Sequence, residues 1–167
     1  VTGPIRITDA LEVPASFHAR YHAAGKRYIY KIKNSQDIDL FCRNYYYQIP
    51  RPLDAEAMNE AAQNLVGEKD FQCFQAAGGQ EKETTVRTIY SLQVYKKGQD
   101  IVIEVEGDGF LYNMVRSITG TLVEVGQGRR SPDEMNDIIS SGDRKNAGHT
   151  APPQGLYLAQ VYYNCWR

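Results

Sequence analysis

Gly107-Asp-Gly-Phe-Leu-Tyr-Asn-Met-Val-Arg-Ser-Ile-Thr-Gly-Thr-Leu-Val-Glu-Val-Gly-Gln-Gly128 predicts one helix with punctuation at both ends. Gly107 and Gly109 break whatever precedes it, Asp108 is suited to cap it, and Gly126 and Gly128 stop it. At roughly 100° per residue, Phe110, Leu111, Met114, Val115, Ile118, Leu122 and Val125 fall in one apolar arc, which should pack on a sheet. Tyr112, Arg116 and Gly120 share the opposite side at i, i+4, i+8 spacing. Gly120 leaves a gap one turn from Arg116 where another group can come close. On a wheel alone, Arg116 reads first as a solvated arginine on a polar face, since exposed arginines are the norm.

The chain has 167 residues, a single-domain length sufficient for a core. Its composition is 42% hydrophobic and 23% charged, that of an ordinary globular chain. No apolar run approaches the roughly 20 residues that span a bilayer. No charged-then-apolar leader opens the sequence, so no signal peptide and a cytoplasmic location are expected. Cys42, Cys73 and Cys165 lack metal-ligand spacing, and an odd, sparse count points to free thiols. His18, His22 and His149 have no thiol or carboxylate companions that would argue for a metal. Net charge is −1, which excludes a wholesale basic nucleic-acid binder. Charge is nonetheless uneven: between Pro14 and Gln36 there is no acid, but there are Arg20, Lys26, Arg27, Lys31 and Lys33. A local excess of this kind supplies an electrostatic footprint for phosphates.

Working outward from the central stretch, Val86–Tyr95, a Lys96–Asp100 turn and Ile101–Glu106 read as a hairpin. In it Val86, Thr88, Tyr90, Leu92 and Val94 face one way. Strands are also expected at Ile5–Val13, Lys26–Lys33, within Phe41–Ile49, and at Leu156–Tyr163. In the second of these, Tyr28, Tyr30 and Ile32 alternate with Arg27, Ile29, Lys31 and Lys33. Asp54 caps a helix that Gly67 closes, and Ser131-Pro-Asp-Glu134 opens another as a capping box, ended by Ser141-Gly142. Ala77–Thr84 is a polar loop. The order lacks regular βαβ alternation, so the expected fold is α+β. An antiparallel-rich sheet carries helices on one face and a basic and aromatic cleft on the other, all in one domain, 1–167. No phosphate loop, no GxGxxG after a strand and no G-x-S-x-G elbow is present.

Three stretches remain: Phe17-His-Ala-Arg20 running into Lys26-Arg-Tyr-Ile-Tyr30, then Phe110–Gly126, then Pro153-Gln-Gly-Leu-Tyr-Leu158. Together they resemble the C-terminal part of the tRNA pseudouridine synthase A family. That pattern runs F-H-A-R, R-Y-x-Y, F-[LV]-x-x-M-V-R-x-I-x-G-x-L-x-x-V-G and G-L-Y-L, with Leu65, Gly67, Asp70 and Phe71 fitting an intervening L-x-G-x-x-D-F. Each piece alone is weak, but the ordered set is specific and covers nearly the whole chain.

The resemblance implies an isomerase that converts uridines of the tRNA anticodon stem-loop to pseudouridine. It implies no cofactor and no metal, tRNA as partner, no membrane, and a homodimer. In the family an aspartate in R-T-D-A-G-V-H is the nucleophile, a tyrosine stacks on the target base, and an arginine holds the aspartate ionised, as a nearby positive charge does. Residue by residue, Tyr28 matches the stacking tyrosine and Arg116 the aspartate-binding arginine. Tyr28 is otherwise a sheet-packing residue beside Tyr30. Leu156 either lines the pocket or fills the core, and Tyr112 shares Arg116's side of the helix. Arg20, Lys26 and Arg27 are phosphate-contact candidates or a solvated strand edge. The aspartate motif itself does not occur. Arg6-Ile-Thr-Asp-Ala10 has an extra residue and continues Leu-Glu-Val, so Asp9 is read as a strand residue. The expectation is the C-terminal half of such an enzyme, inactive alone. The alternative is a free-standing RNA-binding module that does not catalyse, and a small-molecule-binding α+β domain is a third reading.

Overall fold

The computed structural model describes residues 5–37, 39–78 and 83–163. Cys165 and the middle of the Ala77–Thr84 loop lie outside them. A mixed sheet of six strands forms the centre. Strand β1 (Ala23–Lys33) runs antiparallel to β5 (Asp100–Gly107) along one edge. On its other edge, β6 (Leu156–Tyr163) pairs antiparallel with residues 23–30 and the two-residue β2 (Tyr47–Gln48) pairs parallel with Ile32 and Lys33. Beyond β5 come β4 (Val86–Lys97) and β3 (Gly67–Asp70). Helices α1 (Ala55–Gln63), α2 (Met114–Gly126) and α3 (Glu134–Ser141) complete the α+β fold.

The strand register follows from side-chain alternation. Tyr30, Ile32, Ile101, Ile103 and Val105 are all buried and sit opposite one another across β1 and β5. β4 departs from the simple alternation. A bulge between Ile89 and Ser91 puts one extra residue against β5, so Ile89 points inward before it and Leu92 and Val94 after it. Val86 and Tyr90 are consequently exposed, where unbroken alternation grouped them with Leu92 and Val94, which are buried. The hairpin turn is tighter than expected: Lys97 pairs with Asp100, leaving Gly98 and Gln99 as the loop, with Gly98 at φ 63°.

α1 starts as its sequence predicts, with Asp54 Oδ1 accepting from the Glu56 and Ala57 N–H groups, a cap worth about 1 kcal/mol. It stops at Asn64; Gly67, at φ 103°, opens β3 instead of closing the helix. α2 starts at Met114, several residues later than expected. Asp108 does not cap it: its N–H donates to the Thr88 carbonyl (3.1 Å) and its Oδ1 accepts from the Thr88 N–H (3.0 Å), clamping 108 to β4. α2 is buried on nearly every side, Ser117, Thr119 and Thr121 included. α3 keeps half of its capping box, the Ser131 N–H donating to Glu134 Oε1 (2.8 Å), although its first helical residue is Glu134.

Two expected strands are reduced. Ile5–Val13 is coil, with Ile5, Ile7 and Leu11 about 70% exposed. No strand among the described residues pairs with it. Of Phe41–Ile49 only Tyr47–Gln48 pairs, because β6 occupies most of that edge of β1.

Candidate functional site

The segment between β5 and α2 builds the site. After the Asp108–Thr88 clamp, the chain turns through residues 109–113, with the Ala76 N–H donating to the Tyr112 carbonyl. Asn113, at φ 57°, sends it into α2. Arg116 falls in the first turn, where side chains lean towards the helix N-terminus. That lean carries its guanidinium into a cavity of about 670 Å³ in front of the helix.

The guanidinium is held on two sides. Arg116 Nε donates to the Ala151 carbonyl (2.6 Å) and Nη1 to Asn113 Oδ1 (2.9 Å). The Ala151 N–H in turn donates to the Arg116 carbonyl (3.0 Å), so one loop residue fixes both ends of Arg116. That loop passes directly across α2 at Gly120. A Cβ on Gly120 would lie 1.7 Å from the His149 carbonyl oxygen, so the close approach inferred from the wheel is made by His149. Among the described residues no carboxylate pairs with Arg116. An arginine in this state carries an uncompensated charge facing the cavity, which favours a carboxylate or phosphate there.

Tyr28 stands on the opposite wall. Its β1 register places it beside Val105 and Leu158, and its ring meets Phe110 edge-on at 5.3 Å and 88°. Burial pushes the Tyr28 phenol up from its ordinary pKa, so the ring stays neutral near pH 7. It therefore combines the sheet-packing role with an aromatic edge on the cavity. Leu156, paired with Tyr30 at the start of β6, likewise touches both core and cavity.

The cavity gathers Arg20, Lys26, Tyr28, Tyr112, Arg116 and Leu156 from four separate parts of the sequence. It opens on the helix-bearing side, beyond the first turn of α2, rather than on the opposite sheet face. Arg27 is not part of it. The alternation of β1 turns Arg27 to the other face, where Nη2 donates to Gln160 Oε1 (3.2 Å). That face does hold basic and aromatic groups, with Lys31 Nζ 4.7 Å from the Tyr157 ring centroid. Arg87 lines the cavity and was not anticipated. It shares the parity of Ile89 and so points inward, and only the downstream bulge reveals that. Asn113 was also missed; its signal is an asparagine, the non-glycine best suited to a left-handed backbone, directly before the helix. Asp9 lies in the exposed coil and Asp108 on the cavity wall.

On this α+β sheet, an aromatic wall faces an oriented arginine that has no carboxylate partner among the described residues. Residues 61–164 match the family model described as tRNA pseudouridine synthase, and the chain belongs to that family. Its similarity to curated relatives covers nearly all of it. It is 47% identical over 160 residues to the tRNA pseudouridine synthase A 2 of Clostridium tetani, covering 96% of this chain and 64% of the relative. It is 46% identical over 159 residues to that of Clostridium perfringens, covering 95% and 65%. It is 49% identical over 159 residues to the tRNA pseudouridine synthase A of a Thermoanaerobacter species, again 95% and 65%. The chain thus spans just under two thirds of the length of these relatives. No helix among the described residues is long and apolar enough to cross a membrane.

Proposed function

We propose that this chain is the C-terminal domain of a tRNA pseudouridine synthase acting on uridines of the anticodon stem-loop. In that reaction the bond from the ribose to the uracil nitrogen breaks, the base turns, and it is rejoined through carbon. Tyr28 stacks on the displaced base, which needs an aromatic platform once it leaves its own stack. Arg116 pairs with a nucleophilic aspartate from outside these 167 residues and keeps it ionised. Arg20, Lys26 and Arg87 contact phosphates, while Tyr112 and Leu156 border the base. The homodimer, the cytoplasmic location and the absence of a cofactor belong to the same reading.

The observation that carries it is the pairing, in one cavity, of a half-buried tyrosine with an arginine that is oriented by two protein acceptors yet has no carboxylate partner among the described residues. The test is pseudouridine formation in an unmodified tRNA transcript, by these 167 residues alone and after mixing with a separately expressed polypeptide bearing the family's R-T-D-A-G-V-H half. The expected result is silence alone and turnover on mixing. Turnover by the isolated chain would overturn the assignment and make Asp9 or Asp108 the nucleophile. Silence in both, with tRNA still bound, would favour the RNA-binding module.

A further inference from the structure

The start of α2 breaks two local rules at one residue. An asparagine flanking a helix ordinarily turns its side-chain oxygen onto the free N–H groups of the first turn. Asn113 makes no such bond. Its Oδ1 instead accepts from Arg116 Nη1 at 2.9 Å, and because a guanidinium only donates, the oxygen and not the amide nitrogen must face it. Asn113 is also the only non-glycine among the described residues with positive φ, at 57°. Side chains are strained there, asparagine and aspartate least.

Both departures have the same result. The left-handed backbone brings the side chain back over the first turn, and the forgone cap leaves its oxygen for Arg116. With the Ala151 carbonyl on Nε, the guanidinium is fixed in plane and direction, and Nη2 makes no hydrogen bond to any described residue. We propose that Asn113 is a positioning residue that aims Arg116 at the nucleophilic aspartate; this rests on the role given to Arg116 above. The chemistry selects the residue type. Glycine would supply the backbone but no acceptor. Aspartate would supply both, but its charge would compensate Arg116 from within the chain and compete with the incoming carboxylate. An amide oxygen orients the cation and leaves its charge available.

The test uses the complete polypeptide that carries this sequence, assayed on an unmodified tRNA transcript. Asn113→Gly should keep the melting temperature and KM but lower kcat roughly ten- to a hundredfold, the scale of a misplaced catalytic group. The acid limb of its kcat–pH profile should move upward, because a loosely held guanidinium depresses the aspartate's pKa less. Asn113→Ala should show the same kcat and, in addition, a melting temperature lower by a few degrees, since alanine tolerates positive φ poorly. Asn113→Asp should lose at least as much kcat although it retains an acceptor. Wild-type kcat and acid limb in Asn113→Gly, or full activity in Asn113→Asp, overturns the proposal. Arg116→Ala, measured alongside, separates the two levels. If it is inactive while Asn113→Gly behaves as wild type, only the role of Asn113 falls; if it is fully active, the reading of Arg116 falls and this proposal with it.

Discussion

Glu124, one turn beyond Gly120, ties α2 to both of its neighbours. Its Oε2 accepts from Arg130 Nε (2.6 Å), and its Oε1 accepts from the His149 backbone N–H (3.3 Å). Burial raises the pKa of this carboxyl, but the bonds from Arg130 and His149 outweigh it, and the net shift is downward. A carboxylate with a depressed folded pKa adds stability above its unfolded pKa, near 4.5 here, and that contribution disappears as pH falls through the lower folded value. Glu124→Gln should therefore cost about 1–2 kcal/mol at pH 7, the scale of a hydrogen-bonded charge. Denaturation at several pH values should show the difference from wild type closing below pH 4.5. At this scale the meeting of Tyr28 and Arg116 in one cavity was legible because each sits in a recognisable frame of neighbours. Asn113 was not, because the role proposed for it depends on Arg116 being held from the other side by Ala151, a contact 35 residues along the chain.

Among elements, α2 was legible in its apolar arc and its closing glycine, but its start was not. Asp108 has the composition of a cap, yet Thr88 on β4 offers it two backbone bonds, and the tertiary partner wins. β4 shows the same limit differently. Period-two reading holds on each side of the bulge but fails across it, which is why Arg87 was not singled out as a cavity residue. The 147–151 loop is the element through which α2 is most tightly constrained. Gly120→Ala would drive a Cβ into the His149 carbonyl, a backbone atom that cannot swing aside. We expect a loss of about 3 kcal/mol, at the upper end for overpacking. A thermal melt should fall by roughly 6–12 °C, at about 2–4 °C per kcal/mol for a chain of this size. An unchanged melt would mean that the loop lifts off α2 easily, and with it the Ala151 hold on Arg116.

Across the whole molecule, charge is close to balanced, at −1. The cavity is not balanced: among the described residues, Arg20, Lys26, Arg87 and Arg116 line it against one acid, Asp108. If Arg20, Lys26 and Arg87 each neutralise one phosphate, tRNA affinity should fall with salt at a log–log slope of roughly −2 to −3. A filter-binding or anisotropy titration from low to moderate salt measures it, and a slope near zero would remove phosphate contacts from the site. The α+β class and the antiparallel hairpin were legible at this scale because they follow from nearest neighbours in sequence. The strand pattern of Ile5, Ile7, Leu11 and Val13 was legible too, but alternation specifies only how side chains are disposed; a strand also needs an edge to pair with, and among the described residues none reaches it.

The crossing at Gly120 has a consequence for inheritance. Every missense change of a glycine codon installs a residue with a Cβ, and no amino acid other than glycine lacks one. With a carbonyl oxygen 1.7 Å from where that carbon would stand, every neighbour of position 120 one base away in the gene meets the same clash. A residue that carries no chemistry of its own is thus one at which the gene has little freedom to drift.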